Sequence, residues 1–205
     1  NHDYAIDVDL LSVRSGNVNA WCQLTGFGLD AAILARRDRQ EQEGPRVRFP
    51  VAGFLNYLSA AVGAIFSDEF RPRPFTLHMR DGKYAFSGPR INAEFPFEEI
   101  SLRRAGMLVE AGTRPFYGKL FRICPDVVCN DGVMDIYVYN LVSRVTIARY
   151  LPQIWTGRHG VINARTERQG QPRIERFEVK EVRVESAEPF VFHVDGELRE
   201  AQQAD

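Results

Sequence analysis

Cysteine is scarce in this chain. The three present, Cys22, Cys124 and Cys129, are an odd number at irregular spacing inside apolar runs, which excludes a disulfide-stapled scaffold and reads as reduced, buried thiols. No His and Cys residues share the spacing of a zinc site, and without a G-x-S-x-G elbow a Ser-His-Asp hydrolase of that kind has no support. An excess of charge of one sign is also missing. Twenty-six basic and 27 acidic residues leave a formal net charge of −1, so no global field steers the protein toward nucleic acid or anionic lipid. Apolar residues at 44% and charged residues at 26% of 205 are ordinary globular values, neither disordered nor membrane-spanning, and the length supports one sizeable core. Asn1-His2-Asp3-Tyr4 lacks both an initiator Met and the basic-then-apolar pattern of a signal peptide. The chain is expected to begin inside a longer gene product. There is no internal repeat and no low-complexity tract.

What is present reads mostly as strands. Ala5 to Leu10 alternates with period 2, and Val18 to Leu24 follows after the turn-like Ser15-Gly16-Asn17, which predicts an opening hairpin. Residues 36–50 mix both signs of charge with Gly and Pro and predict an exposed loop. Leu55, Leu58, Val62, Ile65 and Phe66 then mark one apolar face of a helix ending near Ser67. Phe75 to Met79 and Tyr84 to Phe86 flank Asp81-Gly82 as a hairpin; Met107 to Val109, Leu120 to Ile123 and Ile136 to Tyr139 predict short strands. Ser143 is placed to cap a helix with Ile147, Leu151, Ile154 and Trp155 as its buried stripe, a kink at Pro152 and a stop at Gly157. Phe177 and Val179 are out of phase with Val182 and Val184, which predicts a bulge or break around Lys180-Glu181. In the last strand Phe190, Phe192 and Val194 share one face, and Val191, His193 and Asp195 the other. The pattern predicts a mainly β fold, a β-sandwich or open barrel with added helices.

Few segments carry chemistry. Gly26-Phe27-Gly28-Leu29-Asp30-Ala31 imitates the G-x-G-x-x-A dinucleotide fingerprint. The second strand and acidic residue the fingerprint needs about 20 positions on are replaced by a charged loop and Pro50, so a tight glycine turn is the plainer reading. Asp126 to Asp135 is rich in oxygen, but Val128 and Cys129 stand where a calcium loop needs carboxylates. Two Asp-Gly steps at strand edges, Asp131-Gly132 and Asp195-Gly196, are turn signals first.

Taken in order, these segments resemble the second domain of the diacylglycerol kinase family of lipid kinases. The resemblance rests on Gly26 to Ala31, the Gly53-Phe54-Leu55-Asn56-Tyr57 helix start, Phe116-Tyr117-Gly118, Pro125 to Asp135, Ser143 to His159 with its G-x-H stretch, and Val194-Asp195-Gly196-Glu197. It implies that residues 1–205 form one β-sandwich domain, the lipid-facing half of a two-domain, ATP-dependent kinase. By the same resemblance Asp195 accepts the proton of a lipid hydroxyl, and Glu197 lines the same cleft and orients Asp195 or the metal-bound water network. Asp30 and His193 are substrate-binding, and the Asp131 side chain holds Mg²⁺ with the Val128 and Val133 carbonyls. ATP is a co-substrate bound mainly by an N-terminal domain, whose G-G-D-G-T loop is absent from this chain. The implied partners are the lipid substrate, that domain and, transiently, a membrane surface, at a cytoplasmic, peripheral location; nucleic acid is not among them and a homodimer is left open. Lys119 and Leu120 stand where the family continues a glycine run after Gly118. Three other readings share the pattern: a non-catalytic lipid-binding module, a kinase of sphingoid or other lipids, and a kinase of NAD.

Overall fold

A computed structural model describes residues 5–42, 52–67, 70–86, 93–117, 121–171 and 173–200. The expected architecture is present: a mainly β sandwich with helices added to one side. Eight antiparallel strands form the main sheet. In chain order they are β3 (Leu24–Gly28), β4 (Arg73–Phe86), β5 (Ala93–Gly106), β6 (Leu108–Gly112), β7 (Met134–Tyr139), β8 (Ile174–Glu185), β9 (Val191–Val194) and β10 (Glu197–Glu200). In space the order is β10-β9-β3-β6-β7-β8-β4-β5. A separate hairpin, β1 (Leu11–Ser15) with β2 (Val18–Cys22), lies over one face, and α1 (Leu29–Gln42), α2 (Ala52–Phe66), α3 (Arg144–Trp155) and α4 (His159–Arg168) supply the helical side.

The period-2 geometry of a strand explains how one sheet serves two cores. In β7, Ile136 and Val138 face the hairpin side with Leu11, Cys22, Phe75 and Phe177, while Tyr137 and Tyr139 face the helix side with Ile33, Ile65, Ile147 and Ile154. Both faces being covered, β6 and β7 are almost wholly buried and mostly apolar, each interrupted by one carboxylate, Glu110 and Asp135.

Several elements differ from the sequence expectation. Residues 5–10 form no strand, because the alternation finds no sheet to pair with among the described residues: Ile6, Val8 and Leu10 stay exposed, and the stretch is tied down at Asp9, whose N–H donates to the Cys129 carbonyl at 2.8 Å and whose carbonyl accepts from the Thr113 hydroxyl. The expected loop from residue 36 is helical as far as Gln42; positions 43–50 lie outside the described residues. The buried face of α2 is Ala60, Ala61, Ala64 and Ile65, leaving Val62 and Phe66 exposed; the side chains of Leu55 and Leu58 lie outside the described residues. Asp81-Gly82 is no hairpin turn, for β4 runs straight through it, paired on both sides with β5 and β8.

The expected bulge at Lys180-Glu181 takes another form. The core-packed residues change parity in three adjacent strands at one level: from Met79 to Tyr84 in β4, Phe97 to Ile100 in β5 and Val179 to Val182 in β8. The ladder keeps one register throughout, Arg80 opposite Glu99 and Glu181, and Gly82 opposite Phe97 and Val179. Asp81, at φ 49°, lies at this level. No residue is inserted. Elsewhere Ser143 caps α3 by accepting from the Thr146 N–H, Pro152 lies inside the helix without ending it, and Gly157 at φ 68° follows its end.

Candidate functional site

The chain reaches the site at the β9–β10 hairpin. Val194 pairs with Glu197, so only Asp195 and Gly196 are left to turn, with φ of 47° and 91°. Two consecutive positive φ values are the primed turn that matches strand twist, and Asp-Gly is a preferred pair for it. Gly196 has a second reason to be glycine, since a Cβ there would stand 2.7 Å from the Tyr117 hydroxyl. The turn is stitched to the join between β2 and β3: the Asp195 N–H donates to the Leu24 carbonyl at 2.9 Å. Its carboxylate accepts from the Leu24 N–H at 3.0 Å, the Gln23 N–H at 3.2 Å and Arg114 Nη2 at 3.4 Å. At 39% exposure it stays open to solvent at the rim of the fold. Glu197 points away, bonded to Arg199 Nη2 at 2.6 Å and 73% exposed.

Behind the turn lies a buried cluster. β9 carries His193 inward, α1 brings Asp30 in its first turn, and β6 brings Glu110. His193 Nε2 is 2.5 Å from Asp30 Oδ2 and 3.2 Å from Glu110 Oε1, with all three side chains at 3% exposure or less. Tyr117 packs edge-on against the imidazole, its ring centroid 5.3 Å away. Burial raises the Glu110 carboxyl to about 8, His193 opposing and Asp30 adding to the rise. The first glycine of this G-x-G is a strand residue, and the second, Gly28 at φ 109°, forms the corner where β3 passes into α1. Gly26 lies within β3 opposite both Glu110 and His193, where a Cβ would meet Glu110 Oε2 at 2.1 Å. Asp30, Glu110 and His193 are also the one group of metal-ligand type among the described residues. A zinc-like ion needs metal–ligand bonds of about 2.0–2.2 Å and correspondingly wider ligand spacing, wider than the 2.5 Å that separates His193 Nε2 from Asp30 Oδ2.

Asp131, Val128 and Val133 share the loop entering β7. Asp131 Oδ1 accepts from the Val133 N–H at 3.3 Å, and Asp9 Oδ2 accepts from the Gly132 N–H at 2.8 Å. Arg176 and Tyr137 brace the loop from within: Arg176 bonds the Asp126 carbonyl, Asp135 and Glu178, while Tyr137 bonds Asp126. Burial lifts Asp135 to about 6 against the pull of Arg176. This loop forms one end of a cleft of about 1310 Å³ between the β1–β2 hairpin and the sheet, lined by Val13, Trp21, Phe27, Phe75, Val182 and Phe190 among others. Phe27 closes on Phe75 and Phe190, at centroid distances of 5.2 and 4.8 Å. The cleft and the His193 cluster lie on opposite faces of β3 and β9. His159 stands apart from both as the first residue of α4, its Nε2 3.0 Å from the Tyr139 hydroxyl, and burial with Arg122 nearby lowers it to about 3.

Of the residues singled out from sequence, Asp30 and His193 are in contact with each other and adjoin Asp195. Asp131, Val128 and Val133 form a second locus, and Glu197 belongs to the exposed edge. Glu110 is the residue that sequence reasoning missed. Its signal was a lone carboxylate inside the apolar run Met107-Leu108-Val109-Glu110-Ala111-Gly112, since a buried charge without a function or a partner is rarely kept.

A family model for the YegS C-terminal NAD kinase beta sandwich-like domain matches residues 25–204. Among solved structures, one titled a "putative diacylglycerol kinase" from Bacillus anthracis str. Sterne is 16% identical over 92% of this chain and 51% of its own, with a TM-score of 0.46. A diacylglycerol kinase from the same organism is 14% identical over 92% and 50%, with a TM-score of 0.41. The chain thus spans about half the length of these structures. No curated protein matches it.

Proposed function

The chain belongs to the family of YegS C-terminal NAD kinase beta sandwich-like domains, and from that premise we propose that it is the lipid-facing half of an ATP-dependent lipid kinase acting on a lipid hydroxyl, most simply that of diacylglycerol. The observation that carries this reading is Asp195: a carboxylate fixed by backbone donors in a tight turn, yet open at the rim of the domain. Phosphoryl transfer to an alcohol needs such a group to orient the hydroxyl and accept its proton late in the step. The hydroxyl oxygen forms a bond to the γ-phosphorus, the bond from that phosphorus to the bridging oxygen breaks, ADP leaves with the electron pair, and the proton goes to Asp195. Asp30 and His193, both buried behind the Asp195–Gly196 turn, would meet substrate only through that turn, and Glu197, on the exposed edge, would orient Asp195 or the metal-bound water network.

The loop at Asp131 offers hard oxygen donors only, the set Mg²⁺ takes. Mg²⁺ held by Asp131 with the Val128 and Val133 carbonyls would supply positive charge at the end of the apolar cleft. ATP is bound mainly by the N-terminal domain of the same protein, and the lipid is met at a membrane surface from the cytoplasmic side. Among the described residues no helix is long and apolar enough to cross a membrane. Val13, Phe27, Phe75, Val182 and Phe190 would give an acyl chain apolar contacts in the cleft, beside charged neighbours such as Arg14, Arg103 and Lys180. The test is phosphotransfer by the full-length protein from labelled ATP to a panel of diacylglycerol, sphingoid and glycerophospholipid substrates and to NAD. Product from a lipid alone supports the proposal. Product from NAD alone, or none with any of them, overturns it.

A further inference from the structure

The ring of His193 is held from two sides, and that locates a buried proton. Nε2 faces the carboxyls of Asp30 and Glu110. On the far side the Gly196 N–H donates to Nδ1 at 3.3 Å. An imidazole nitrogen that accepts a hydrogen bond carries a lone pair, so the proton of the neutral ring sits on Nε2. Two ionised carboxylates at this depth, both facing one N–H, would leave charge unpaired, and an unpaired buried charge is strongly disfavoured. One of them keeps a proton. Asp30 lies in the first turn of α1, where the helix amides favour an anion. Glu110 lies in the middle of β6, 0% exposed, between Val109 and Ala111.

We propose that Glu110 is a positioning residue: its neutral carboxyl and the Asp30 carboxylate hold the His193 ring, and the ring holds the Asp195–Gly196 turn through Nδ1. The role in turnover rests on the proposed function; the geometry does not. The alternative state is well defined. Burial works against a charged His193, but the two carboxylates prevail and would lift it to about 11. That second proton would have to occupy Nδ1, where the Gly196 N–H now points, so a charged ring and an intact turn exclude one another. The proton on Glu110 removes one of the two anions that would charge the ring. The thiols and phenols in reach are neutral: burial raises the Cys22 thiol to about 12, and it raises the Tyr117 and Tyr139 hydroxyls and the Cys124 thiol as well; the remaining carboxylate, Asp195 in the turn itself, is paired with Arg114. Arg37 and Arg114 are the cations that act on Tyr117.

The sign of the pH dependence follows. Glu110 is protonated in the fold up to about pH 8 but ionised in the unfolded chain above about 4.5, so stability falls as pH rises between those values, by about tenfold in the folding equilibrium per unit. The test is ¹⁵N NMR of the His193 ring in this chain, with denaturation from pH 6.5 to 8. The expected result at pH 7 is an unprotonated Nδ1 and a protonated Nε2. Glu110→Gln, neutral at every pH, should keep that tautomer and lose the decline in stability. In the full-length protein Glu110→Ala should lower kcat more than it changes KM, and Gln should recover most of the loss. A doubly protonated ring at pH 7 overturns the proposal. So does a decline that persists in the Gln variant, or a Zn²⁺ titration that displaces the Nε2 proton and raises the melting temperature. Should the Gln variant fail to fold, the wild-type tautomer still decides, and none of the ring measurements depends on phosphotransfer.

Discussion

Gly26 and Glu110 face each other across β3 and β6 so closely that a Cβ on residue 26 would stand 2.1 Å from Glu110 Oε2 and 2.6 Å from the Val109 carbonyl. The glycine of this G-x-G is therefore explained by a buried carboxyl rather than by a bound nucleotide. Gly26→Ala should destabilise the fold by about 1–3 kcal/mol, the usual range for overpacking a closed site. Urea denaturation of wild type and variant measures it. A loss below about 0.5 kcal/mol, the scale of an ordinary surface change, would mean that the strands part easily and the cluster is loosely held.

His159 titrates in the opposite sense to Glu110. It stays neutral in the fold to about pH 3, while in the unfolded chain it gains a proton below about 6.5. Stability contributed by the neutral ring is therefore lost as pH falls through that window, by about 1.4 kcal/mol per unit. Asp135 and Glu110 act against it as they protonate in the fold, so the contrast with His159→Phe isolates the term. Tyr139 keeps its bond to the Ile123 carbonyl in that variant. Denaturation at pH 4 to 6 should show wild type losing ground to the variant. Parallel curves would show that His159 is already charged in the fold.

Magnesium should stabilise the chain through the loop at Asp131. A ligand that binds only the folded state adds RT ln(1 + [L]/Kd), about 2.7 kcal/mol at a hundredfold excess. Melting temperatures with and without millimolar Mg²⁺, in wild type and Asp131→Ala, check this. The expected rise is confined to the wild type; an equal rise in both places the ion elsewhere, and none in either removes the site.

Local patterns made parts of this fold legible. Ser143 caps α3, and the apolar run of β7 is a strand because both faces meet a core. Other elements are held by contacts that no window of sequence shows. Arg36 to Gln42 continues α1 because the segment is free of Gly and Pro and rich in good helix formers. α4 escaped notice because polar residues anchor it: Asn163 bonds both the N–H and the carbonyl of Ile174, and Thr166 is fully buried. Asp81-Gly82 looks like a hairpin turn, yet pairing on both sides carries β4 through it. At the site, the Asp195-Gly196 turn was readable from its two residues. The cluster behind it was not, since it joins three elements that are distant in sequence.

The claim that Asp195 accepts the substrate proton is tested most directly by kcat for lipid phosphorylation in full-length Asp195→Asn, measured beside a melting curve. An amide keeps the shape and one acceptor for the Leu24 and Gln23 N–H groups but cannot take a proton. The account predicts a folded variant with KM little changed and kcat lower by about 10²- to 10⁴-fold, the range for a general base. Turnover near wild type in a folded Asp195→Asn protein would contradict it and leave Asp195 as a turn residue alone.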